Sequence, residues 1–266
     1  MFSSDDLKGD DYQRVLMMGP VKTGKTTTVV ATSPGPVAVL LCEDEAALKG
    51  ARRNSDKPFD IEKISSFDKM LKAIQEVKNA GKYKTCVVDP FSNFAYYLEN
   101  VLREQHDNDA RRWSPEYNNR LDHIVEQLFR LPMHVVVISH YIETGGEIDN
   151  QLAKTGEGIM PLLAGKARVL IPAKFNDVVW FDYLAPKKDT RQPWDEEPYN
   201  GRVIVTGPNG RWGPGCRSVH GTHIVPADMK LLYELFKKGA SKSKSNGVAE
   251  GKTAPTPKSS SALARR

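Results

Sequence analysis

The sequence predicts an α/β protein with a mostly parallel central sheet flanked by helices and a disordered C-terminal tail. Three observations carry the prediction. Short apolar runs alternate with stretches of helical period, as in strand–helix–strand units. Four of the runs, at Arg14–Met18, 37–42, 85–88 and His134–Ser139, carry little or no polar interruption, as strands covered on both faces do. A glycine-bearing turn, residues 19–26, separates the first strand from the first helix.

That turn reads Gly19-Pro20-Val21-Lys22-Thr23-Gly24-Lys25-Thr26 and fits the phosphate-binding pattern G-x-x-x-x-G-K-[ST]. The strand before it and the helix after it (25–31) are the context that gives the pattern meaning. Its glycines let backbone N–H groups curl around a phosphate chain, and the helix N-terminus adds partial positive charge. Lys25 is expected to reach the β- and γ-phosphates of a nucleoside triphosphate, with the Thr26 hydroxyl on Mg2+. Thr27 completes the expected nucleotide contacts.

The second strand, 37–42, runs into Glu43, Asp44 and Glu45 and then a short helix, 46–52. Phe67, Met70, Leu71, Ile74 and Val77 recur at i, i+3, i+4, i+7 and predict the next helix. Strand 85–88 ends at Asp89. Tyr117, Leu121, Ile124 and Leu128 mark another helix, and His134–Ser139 ends at His140. Strands at Asp177–Tyr183 and Arg202–Thr206 follow, then a helix through Met229, Leu232, Leu235 and Phe236. Residues 105–115, 145–158, 186–200 and 208–218 read as irregular, and they are long for passive connections.

Ligands of parallel sheets bind outside the carboxyl ends of the strands, so the residue after each strand nominates the site. Asp89, closing an apolar strand, is expected to hold Mg2+ through water; the alternative is a turn residue before Pro90. Glu43 or Glu45 is the candidate for activating water, against a reading in which three acids only stabilise the following helix. His140 is the candidate γ-phosphate sensor, or a structural strand cap. The segment 141–160, with Gly145, Gly146, Gly156 and Gly158, is expected to be mobile and to order on a polymer ligand.

The net charge of +5 does not mark a nucleic-acid surface on the core. From position 240 onward Lys242, Lys244, Lys252, Lys258, Arg265 and Arg266 face Glu250 alone, which accounts for all of it. This stretch has few apolar groups and is expected to be disordered. The domain reading is therefore an acidic extension at 1–11, an ATPase core at 12–239 and a basic tail at 240–266. Cys42 and Cys86 read as strand residues, and with Cys216 they form no C-x-x-C pair, which fits a reducing cytoplasm. His220 and His223 lack further metal-type partners, so a solvated loop outweighs a zinc site. No apolar run approaches the ~20 residues of a membrane span.

Taken together, these motifs resemble a RecA-type core ATPase. More closely, residues 14–236 resemble the short phage P-loop proteins of the Sak single-strand annealing class. The resemblance rests on the phosphate loop and on Val39-Leu40-Leu41-Cys42-Glu43-Asp44-Glu45, similar to the strand ending in the RecA catalytic glutamate. It rests also on Val136-Val137-Ile138-Ser139-His140, where a histidine replaces the usual sensing glutamine, and on Val203-Ile204-Val205-Thr206 with Cys216-Arg217-Ser218. The resemblance implies a RecA-like P-loop core and makes Glu45 the water-activating residue. It also implies a Mg2+-dependent ATPase acting on single-stranded DNA in phage recombination, annealing or repair, within a bacterial cytoplasm. DNA contact is expected from the 145–158 loop and Lys154, with Trp113 and Tyr117 as stacking candidates and core packing as their competing role. Arg217 or Arg211 is the expected trans-acting arginine of a homo-oligomer, and a single-stranded DNA-binding protein is an expected partner. A nucleotide-gated binding protein with negligible turnover and a P-loop kinase stand as alternatives.

Overall fold

Alternating residues of each central strand fall into two apolar sets, and both sets are buried. A computed structural model describes residues 12–144, 158–183, 201–207 and 215–243. In chain order the elements are β1 (Arg14–Met18), α1 (Lys25–Thr32), β2 (Val37–Leu41), a 3-10 turn (Glu45–Leu48) leading into α2 (Lys49–Asn54), β3 (Phe59–Lys63), α3 (Phe67–Ala80) and β4 (Thr85–Asp89). Then come α4 (Phe91–Gln105), α5 (Ala110–Phe129), β5 (His134–Ser139), β6 (Tyr141–Thr144), β7 (Gly158–Pro161), α6 (Ala167–Lys174), β8 (Asp177–Tyr183), β9 (Arg202–Thr206), β10 (His223–Pro226) and α7 (Met229–Ser243).

The main sheet has eight strands in the order β10-β9-β8-β1-β5-β4-β2-β3. β8, β1, β5, β4, β2 and β3 are mutually parallel, while β9 and β10 add antiparallel. This is the mostly parallel, helix-flanked sheet expected of a RecA-like core. Leu16, Leu40, Val88 and Val137 pack on one face against α3, α4 and α5. Val15, Met17, Val39, Val87 and Ile138 pack on the other against Val29 and Val30 of α1 and Leu232 and Phe236 of α7. Each such side chain, fully buried, contributes about 1.5–3 kcal/mol. At the amino end of β1, buried Arg14 donates to the carbonyls of Phe129 and Leu131 at 2.9 and 2.8 Å and to that of Met133. It thereby satisfies the C-terminus of α5 and matches its negative end.

Several expectations change. β2 stops at Leu41, so Cys42 lies just outside it. Of residues 105–115 only 106–109 are irregular: α4 ends at Gln105, and Asp109 caps α5 by accepting from the Arg111 amide at 3.0 Å, with Pro115 carried inside the helix. His223 opens β10 rather than lying in a loop, and α7 runs to Ser243, past position 240. The segment after His140 begins and ends as an antiparallel ladder, β6 with β7; 145–157 lie outside the described residues. No helix among the described residues is long and apolar enough to cross a membrane.

Candidate active site

The loop 19–26 hangs from the carboxyl end of β1, the strand between β5 and β8. Gly19 has φ 156°, and a Cβ there would stand 2.2 Å from the main-chain oxygen of Phe181 on β8, so no side chain fits. Gly24, at φ 102°, precedes α1, whose N-terminus has neither a side-chain cap nor an acid in its first turn. Lys22 sits at the crown in the left-handed region (φ 61°), an uncommon conformation for a non-glycine residue that clusters at functional turns. Val21 and Lys22 are exposed.

Inside the loop, the Lys25 ammonium is buried and donates to the carbonyls of Gly19 and Pro20 at 2.9 and 2.7 Å. The Thr23 hydroxyl donates to the same Pro20 carbonyl at 2.8 Å. Burial pushes the Lys25 pKa down, while Asp89 and Glu43 work the other way. The ammonium thus lies within the electrostatic reach of two carboxylates from β4 and the end of β2.

Asp89 is 2 % exposed, and its Oδ2 has no hydrogen-bond partner among the described residues. Burial pushes its pKa up to about 6; the Thr26 hydroxyl and Lys25 pull it down, and Glu43 raises it further. A buried carboxylate oxygen left unpaired beside Thr26 is the donor arrangement that a divalent cation with bound water satisfies. Among the described residues no cluster of three or more His, Cys, Asp or Glu could hold a metal by itself. Thr26 and Asp89 fit the Mg2+ role only together with phosphate oxygens.

The three acids after β2 separate cleanly. Glu43 is half-buried, its pKa raised by burial and by Asp44 and opposed by Lys25. Asp44 accepts from the Ala46 amide at 2.8 Å and caps the 3-10 turn. Glu45 is exposed and pairs with Arg52 at 3.5 Å. The placement therefore corrects the ranking: Glu43, not Glu45, faces Lys25 and Asp89, because the chain turns at Asp44.

His140 follows β5 in the same cluster. Its amide donates to Ser92 Oγ of α4 at 3.1 Å, and its carbonyl accepts from Leu162 just beyond β7 at 2.9 Å. Its Nδ1 is buried without a partner among the described residues, and burial together with Lys25 holds its pKa down. Both influences favour the neutral ring, and Nδ1 is left as an uncommitted nitrogen in the site.

Other candidates stand elsewhere. Thr27 packs against Gly50 of α2, whose Cβ position lies 2.5 Å from Thr27 Oγ1. Trp113 and Tyr117 are core residues in edge contact, with Arg103 over the Trp113 ring. Arg217 donates to the Ala173 carbonyl at the end of α6, near the amino end of β8 and away from this chain's own loop. Lys154 and Arg211 lie outside the described residues. Shallow concavities between β3 and α3 are at the sheet edge, remote from the loop. One neighbour escaped the sequence reading: Arg202, whose strand position gave no hint that β9 pairs with β8 at this rim.

A family model described as an AAA domain (AAA_24) matches residues 11–212. No curated protein sequence matches the chain. Among solved structures, a prototypical ATPase from the type III secretion system of pathogenic bacteria aligns at 12% identity and TM-score 0.44, over 64% of this chain and 52% of its own length. The RadB recombinase aligns at 16% identity and TM-score 0.42, over 79% and 86%. At these TM-scores neither similarity bears on what this chain does.

Proposed function

Because the chain belongs to the AAA domain family (AAA_24), we propose that it is a Mg2+-dependent ATPase that works on single-stranded DNA, in phage recombination or annealing of the Sak kind. One observation carries the ATPase reading: Lys25, Thr26, Asp89, Glu43 and His140 converge at the mouth of the phosphate loop. Lys25 is positioned to exchange its loop carbonyls for β- and γ-phosphate oxygens. Thr26 and Asp89 would hold Mg2+, which when bound offsets charge on the bridging phosphate oxygens. Glu43, its pKa raised by burial, is suited to orient and accept a proton from the attacking water. His140 Nδ1 is available to the terminal phosphate.

Support for the polymer side is the chain's path. The β6–β7 ladder leaves directly from His140, and the Leu162 amide ties its return to the His140 carbonyl. A shift of His140 with nucleotide state therefore passes directly into the β6–β7 ladder that flanks positions 145–157 in the chain. The test is ATPase rate with and without single-stranded DNA, in the native chain, Glu43→Gln and Glu45→Gln. We expect DNA to raise the native rate, Glu43→Gln to lower turnover by about 10²-fold or more with ATP still bound, and Glu45→Gln to stay within about twofold. A rate indifferent to DNA, with no DNA retained, overturns the DNA reading. Binding of ATP with no turnover leaves a nucleotide-gated switch.

A further inference from the structure

The geometry points to Arg202 as a second phosphate-binding cation of this site, reaching the inner phosphates of a nucleoside di- or triphosphate from the side opposite the acids. The inference rests on the nucleotide reading above and extends it to a residue outside the phosphate-loop pattern.

Arg202 opens β9 and pairs in register with Tyr183 at the carboxyl end of β8, the rim from which the loop hangs. Its guanidinium lies on Gly24: an ideal Cβ there would be 3.2 Å from Nη1, 3.3 Å from Cζ and 3.5 Å from Nε. Gly24 therefore does two things, adopting φ 102° and leaving room for a planar cation at the head of α1.

The charge is misplaced for stability. The guanidinium sits against Gly24 at the positive end of α1, and cations there are unfavourable. No hydrogen bond or ion pair joins its side chain to any described residue. The nearest acid in register, Asp182, is paired with Val203. It is occupied on its own strand, accepting from Trp180 Nε1 at 3.0 Å and from the Tyr183 amide at 2.7 Å. An anion drawn into the loop resolves this conflict, because guanidinium recognises phosphate with paired donors.

Strand order decides which phosphate. Asp89, Glu43 and His140 come from β4, β2 and β5, all on one side of β1; Arg202 comes from β9, on the other. The unpaired Asp89 oxygen beside Thr26 marks the side of the terminal phosphate and Mg2+. A chain lying along the loop then presents its α- and β-phosphates to Arg202.

The experiment titrates fluorescent ADP and ATP, with Mg2+, into the native chain, Arg202→Ala, Arg202→Lys and Lys25→Ala, and records the melting temperature of each without nucleotide. Loss of a charge-assisted contact should weaken Arg202→Ala about 10- to 100-fold, for ADP and ATP alike. Arg202→Lys should recover part of that loss, and Arg202→Ala without nucleotide should melt at or above the native temperature. Equal affinities for native and Arg202→Ala overturn the proposal. So does a loss confined to ATP, which would put the contact on the terminal phosphate, or a lowered melting temperature with affinity intact, which would make Arg202 structural. If Lys25→Ala loses nucleotide in those cases, the nucleotide reading stands and only the Arg202 assignment falls. If the native chain binds neither nucleotide, the underlying reading fails first.

Discussion

The two ends of β1 are built on opposite terms. At its amino end, Arg14 is buried in a ring of carbonyls from the end of α5 and the turn after it, each a good acceptor for a cation. At its carboxyl end, buried Lys25 is held only by its own loop, Asp89 Oδ2 and His140 Nδ1 lack partners among the described residues, and Arg202 rests on the wrong pole of a helix. One rim has its charges matched within the chain; the other leaves them in conflict five residues further on. Unmatched groups gathered at one rim of a parallel sheet identify the working face, since a chain selected for stability alone would have matched them too.

The comparison breaks first at its two lysine and arginine anchors. Lys25→Ala should cut kcat/KM for ATP by about 10³-fold or more while leaving the fold intact, because its hydrogen bonds among the described residues are to the loop carbonyls of Gly19 and Pro20. Retained turnover would remove the working-face assignment. Arg14→Ala should do the reverse. Stranding buried carbonyls should cost about 2–4 kcal/mol of stability in denaturant melts, with nucleotide affinity unchanged within about twofold; a variant as stable as the native chain would deny the contrast.

A smaller effect sharpens it. The folded Asp89 carboxyl titrates at about 6 against an ordinary 3.8, so between those values the native state holds a proton that the unfolded chain has released. Its contribution to stability is complete below about pH 4 and is lost as pH rises through 6. Asp89→Asn should flatten that slope and, without nucleotide, exceed the native chain at pH 7.5 by about 2–3 kcal/mol. The same variant should lose Mg2+-dependent nucleotide affinity. Equal pH profiles for the two proteins would show that Asp89 is not strained by burial.

The central strands were legible because burial on both faces writes continuous apolar runs, as in Val15-Leu16-Met17-Met18. The edges were not. β3 reads Phe-Asp-Ile-Glu-Lys, charged where it meets water, and β10 ends in Pro226, so neither resembles the interior strands. Two helices went unpredicted: α4, with Phe91, Phe94, Leu98 and Leu102 buried, and α6, which carries Pro172 inside it. Within the site, the phosphate loop and Asp89 follow from local pattern. The choice between Glu43 and Glu45 does not, because it turns on Asp44 being spent as a cap and Glu45 being held by Arg52. Arg202 was out of reach for another reason: its role depends on an antiparallel pairing between strands separated by residues 184–201, which no local spacing encodes.

Where Gly19 meets β8, the contact is made by a carbonyl and not by the phenyl ring of Phe181. The floor of the cradle is thus drawn by main chain, whichever residue stands at 181. The Phe181 side chain answers to a separate demand, its complete burial in the core, while position 19 tolerates nothing but hydrogen.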